Sequence, residues 1–75
     1  MSVDQIKAWD EARPFRRFTI HLADGASVPV EHPEFMWRTP GGRTIVVSQG
    51  GEDVVVIDLL LVTRLTTRNG ARRRR

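Results

Sequence analysis

Cysteine is absent from this chain of 75 residues, and histidine occurs only twice. The first absence excludes disulfide bonding. The two together exclude a structural zinc site, which two imidazoles without a thiol cannot complete. Long apolar runs are missing as well: the longest, VVVIDLLLV, is interrupted by Asp58 and falls short of the ~20 residues that span a bilayer. The N-terminal stretch MSVDQIKAWDEARPF lacks the apolar centre of a secretory signal. No segment repeats another. These absences predict one soluble domain with no membrane association, and the lack of thiols fits a reducing cytoplasm. A chain this short buries only about 60% of the surface its unfolded form exposes, so its core is marginal. With disulfides and metal set aside, self-association is the common remedy that remains.

Charge of one sign is scarce in the body. Twelve basic residues face nine acidic ones, but four of the twelve are Arg72, Arg73, Arg74 and Arg75. Without that run eight basic residues face nine acidic ones, and the body is close to neutral. Net charge therefore gives no support to a nucleic-acid-binding body. Residues 68–75 read as a solvated, disordered basic tail. Its adjacent guanidiniums predict weak, salt-sensitive, sequence-blind affinity for a polyanion, the alternative being a tail that only solubilises.

Periodicity places a helix over residues 2–12. Ser2 caps it, Gln5 completes a capping box, and Val3, Ile6 and Trp9 form an apolar stripe to lie on a sheet. Pro14 ends it, because the residue before proline avoids the helical region. From Phe15 onward the period is that of strands. Phe18, Ile20 and Leu22 alternate with polar residues, and Asp24-Gly25 supplies a tight turn. Val28 and Val30 follow, with Pro29 at a position free of ladder bonding. HPEF breaks the strand, and Phe35 and Trp37 begin another short one that ends at TPGGR. RTIVVSQ is a strand, GGED a turn, and VVVID a strand apolar on both sides, so that both faces are buried or one meets a partner. Asp58 to Leu60 form a tight turn and Leu61 to Thr66 the closing strand. Residues 1–67 thus read as a single mainly β domain, a short N-terminal helix followed by about five strands in a small SH3-like or Sm-like barrel.

That order, with a one-turn helix before the last strand, resembles the Sm-like (LSm) family and its bacterial Hfq branch. FTIHLADGASVPVEHPEFM is similar to the first Sm motif and VVVIDLLLVTRL to the second, and the likeness covers Val3 to Leu65. It implies a five-stranded barrel, assembly into a homo-oligomeric ring, and RNA as ligand, with Phe35 where the family stacks a base. Where Hfq carries a tyrosine-lysine-histidine run at its pore, this chain has Val56, Ile57 and Asp58, and Asp58 repels phosphate. The fragments PFRRFTIHLADG, HPEF, GGRTIVV and IDLLLVT are also similar to a family of short bacterial proteins to which no activity is attached, which implies a stand-alone domain.

Candidate sites follow from both readings. His21, Asp24, His32 and Glu34 are the clustered titratable groups, but strand alternation and turn chemistry account for them, and neither Ser27 nor Ser48 is paired with a base. Phe35 and Trp37, with Arg38 and Arg43 nearby, are stacking platforms for nucleic acid on one reading. On the other, Phe35 enters the core and Trp37 covers a subunit interface. Arg13, Arg16 and Arg17 form the basic cluster of the body, with Asp10 and Glu11 close by. The nucleic-acid set is therefore Phe35, Trp37, Arg16, Arg17, Arg38 and Arg72 to Arg75. The interface set is Val46, Val54, Val56, Leu61 and Val62, on strand edges that pair with the closing strand of a neighbour. Two functions are carried forward: an RNA-binding, non-catalytic Sm-like oligomer, and a structural or protein-interaction ring with no nucleic-acid ligand. No catalytic residue, metal, cofactor or small-molecule substrate is expected.

Overall fold

A computed structural model describes residues 1–67 of the chain. Helix α1 (Val3–Glu11) opens on the predicted capping box: Ser2 Oγ accepts from the Gln5 amide at 3.3 Å, and Gln5 Oε1 accepts from the Ser2 amide at 2.9 Å. These bonds satisfy amides that the first turn leaves without partners. Ile6 is fully buried, and Val3 and Trp9, a turn to either side, pack against the core. The helix stops at Ala12, one residue before the position that Pro14 restricts.

The strands are β1 (Phe18–Leu22), β2 (Ser27–Val30), β3 (Met36–Arg38), β4 (Thr44–Gly50), β5 (Asp53–Asp58) and β6 (Val62–Thr67). They pair antiparallel in two three-stranded sheets, ordered β2-β1-β6 and β3-β4-β5. The β1–β2 turn is held by Asp24, whose carboxylate accepts from the Ala26 amide at 2.9 Å, and by Gly25 at φ +93°. Alternation sends Phe18, Ile20, Val28 and Val30 of the first sheet and Met36, Ile45, Val47 and Ile57 of the second into one core with Ile6, Leu59 and Val62.

Several expectations are corrected. There are six strands rather than five, in two separate sheets, and no ladder closes them into a barrel among the described residues. The cause is HPEF, where Pro33–Phe35 forms a turn of 3-10 helix between β2 and β3 and carries the chain from one sheet to the other. Phe35 therefore belongs to that turn, and the strand begins at Met36. Phe15, Arg16 and Arg17 precede β1 rather than starting it. The turn at Asp58 is a 3-10 helix, Leu59–Leu61, capped by the Asp58 carboxylate at 2.9 Å from the Leu60 amide, so β6 starts at Val62. Of the two readings of VVVID, burial on both faces is the one overturned: Val54 and Val56 are turned to solvent in the single chain. The predicted basic tail, Arg72 to Arg75 included, lies outside the described residues.

Candidate functional site

The β3–β4–β5 sheet presents the expected aromatic. Trp37, Val46 and Val56 lie opposite one another in a cross-strand row on its outer face, and Val54 stands on the same face beyond Val56. Trp37 is 52% exposed, Val54 55% and Val56 66%. Leu60 and Leu61, on the turn before β6, are exposed as well, and the Leu61 carbonyl accepts from the Ala23 amide at 2.9 Å. Of the interface set, Val54, Val56 and Leu61 are thus exposed and Val46 is half-buried, whereas the side chain of Val62 is spent in the chain's own core.

Phe35 and Trp37 are not presented as a pair. Phe35 is half-buried, and the His32 ring meets it edge-on with centroids 5.0 Å apart. His32 therefore packs on an aromatic ring, and its carbonyl accepts from the Phe35 amide at 3.0 Å. His21 Nε2 bonds Thr66 Oγ1 at 2.8 Å across the β1–β6 ladder. Among the described residues no three histidine or acidic side chains converge to hold a metal ion.

Several of the arginines are already committed. Arg38 Nη2 lies 3.5 Å from Asp10 Oδ2 and 3.4 Å from Glu11 Oε2, which ties β3 to the end of α1. Burial pushes the Asp10 carboxyl above its ordinary range; Arg38 opposes the shift, Glu11 adds to it, and Arg13 opposes it. Arg17 pairs with Glu31 at 3.5 Å in an exposed contact of little energetic weight. Arg16 is exposed and has no carboxylate within 4.0 Å among the described residues. It lines a groove with Ala8, Trp9, Ala12, Arg13, Pro14 and Thr67. Sequence reasoning placed Trp9 in the buried stripe and missed its second surface. The nearest signal in the sequence is Pro14, which ends the helix and lines the groove with Arg13 and Arg16.

The fold and surfaces define a small, mainly β chain with an N-terminal helix, an exposed apolar sheet face and a basic-rimmed groove. Among the described residues no helix is long and apolar enough to cross a membrane. Comparison with protein-family models, with curated proteins and with solved structures gives no match to this chain.

Proposed function

We propose that the chain is a self-assembling Sm-like or SH3-like β module whose working form is a homo-oligomer, closed through its free strand edges. The observation that carries this reading is β5. It bonds only to β4 among the described residues, leaving one edge unpaired, and it turns Val54 and Val56 outward beside Trp37 and Val46. An edge strand with an apolar outer face templates pairing with another chain unless something covers it. The helix-first order and the one-turn 3-10 helix before the last strand support the Sm-like likeness. A second reading, RNA bound without catalysis, is favoured by exposed Trp37 and by Arg16, which is unpaired among the described residues, while Arg38 and Arg17 are engaged with carboxylates.

Light scattering at micromolar concentration tests the assembly. The expected mass is a multiple of the 8.5 kDa chain, reverting toward the single chain in Val56→Lys, whose exposed position leaves the fold intact. A parent protein of single-chain mass overturns the proposal. The ratio of absorbance at the nucleic-acid and protein maxima, read on the same untagged sample, decides whether RNA travels with it.

A further inference from the structure

Two features stand at opposite ends of β6, and pairing along strand edges uses neither. Just before Val62, the turn Leu59–Leu61 presents Leu60 and Leu61, 71% and 53% exposed. At the other end, Thr67 lines the groove of about 380 Å³ together with Ala8, Trp9, Ala12, Pro14 and Arg16. The leucine turn is tied down on three sides. The Leu59 amide donates to the Arg43 carbonyl at 2.8 Å, the Ala23 amide to the Leu61 carbonyl at 2.9 Å, and the Leu60 amide to Asp58 Oδ1 at 2.9 Å. A projection whose backbone is already ordered loses less freedom when it is covered. The capping bond also holds the Asp58 carboxylate beside the base of Leu60, exposed and in no ion pair among the described residues.

The groove has the complementary form. Trp9 is held by packing, its ring meeting Phe18 in a T-shaped contact with centroids 5.4 Å apart, and it stays half-exposed. Ala8, Ala12 and Pro14 complete the apolar lining. A cavity of about 150 Å³ already takes a benzene ring, so this groove has room for a leucine side chain. Arg13 is occupied at the helix end: its Nη1 donates to the carbonyls of Asp10 at 3.1 Å and Ala12 at 2.7 Å, and its charge acts on the Asp10 carboxyl. Arg16 is exposed, has no carboxylate within 4.0 Å among the described residues, and is the cation left for a partner.

We propose that the groove receives Leu60 of a second copy of this chain, with that copy's Asp58 meeting Arg16. The inference rests on the self-assembly reading and adds a second contact to it. Roughly 20 Å, the length of a six-residue strand, separates the leucine turn from the groove. Edge pairing adds copies across the strands, whereas this contact adds them along β6. Its two surfaces differ, so it is heterologous: each joined pair keeps a free leucine turn at one end and a free groove at the other, and growth continues unless the geometry closes. Covering Leu60 and Trp9 supplies the attraction, and the pairing of Asp58 with Arg16 sets the orientation.

Full-length Val56→Lys protein, in which the β5 seam is disabled, isolates this contact. At hundreds of micromolar its mass by light scattering is expected to rise with concentration, and to rise less at high salt. Leu60→Ser and Arg16→Glu, each added to Val56→Lys at an exposed position, are expected to stay single chains. Mixed in equal amounts, the two are expected to pair and to stop at twice the 8.5 kDa chain, because one keeps a groove and the other a leucine turn. The inference is overturned if Val56→Lys protein shows no rise, if Leu60→Ser keeps it, or if the mixture stays at the single-chain mass. Loss of the rise in Arg16→Glu but not in Leu60→Ser means that the groove takes another segment, and overturns it equally. The seam is judged apart, by the parent against Val56→Lys at micromolar concentration. A Val56→Lys protein that keeps the parent mass overturns the seam, and Leu60→Ser is still expected to lower that mass.

Discussion

Asp10 on α1 and Arg38 on β3 hold the helix to the second sheet, Oδ2 to Nη2 at 3.5 Å with side chains only 14% and 20% exposed. The contact is long for a charge-assisted bond, and Asp10 Oδ1 is buried without a hydrogen-bond partner among the described residues. Burial therefore outweighs Arg38, and the carboxyl is held above its ordinary value of 3.8. The folded state binds this proton more tightly than the unfolded chain does. What Asp10 contributes to stability is thus fully present below 3.8 and is lost as pH rises through the higher folded value.

Asp10→Asn removes that dependence. At neutral pH the variant is expected to be at least as stable as the parent in urea titration, and the parent gains on it as the solution is acidified. Arg38→Gln does the reverse: it leaves a buried carboxylate unanswered and costs about 1–3 kcal/mol at neutral pH, less in acid. A loss of that size in Asp10→Asn at neutral pH would show that the ion pair, not burial, dominates.

Gly42 is the second fixture of the helix. It sits at φ +78° in the turn between β3 and β4, its amide bonded to the Thr39 carbonyl at 2.7 Å, and an added Cβ would lie 2.5 Å from Val3 Cγ2. Gly42→Ala is expected to lose about 1–2 kcal/mol from the backbone alone and more from displacing the first turn of α1. Gly25→Ala, at φ +93° with nothing within 4 Å of its added Cβ, pays only the backbone cost and is the reference. Val3→Ala should recover part of the loss in Gly42→Ala, a coupling that a double-mutant cycle in urea measures. Equal losses at the two glycines, with no recovery, would remove Val3 from the explanation.

Local signals made much of this fold legible. The capping box at Ser2 and Gln5, the Asp24-Gly25 turn and the alternation through Phe18, Ile20, Val28 and Val30 each depend on a few neighbouring residues, and each is realised. What was not legible depends on distant partners. Nothing near Arg38 in the sequence says that Asp10, 28 positions earlier, will take up its charge across the α1–β3 cleft. Val62 and Val56 look alike in an apolar run, and only the turn Leu59–Leu61 decides that one faces in and the other out. The barrel expectation fails for a related reason: HPEF signals a break between strands, but nothing local says that its turn passes the chain into a second sheet. Trp9 carries two surfaces, and helical periodicity reports only the one that packs.

The contrast between Val56 and Val62 separates stability from assembly. Val62 is 3% exposed and belongs to the core, so Val62→Ala removes two buried methyl groups and is expected to cost about 2 kcal/mol. That loss should be independent of protein concentration. Val56→Ala removes the same atoms from a surface that is 66% exposed in the single chain, and its effect there should stay within about 0.5 kcal/mol. If β5 is the seam, however, Val56 is covered only in the oligomer. Mass action then makes its cost appear as weaker association and as a melting temperature that depends more steeply on concentration. Unfolding curves taken across a wide dilution range distinguish the two. Should Val56→Ala leave both the mass and the concentration dependence of the parent untouched, the β5 face is not where the copies meet.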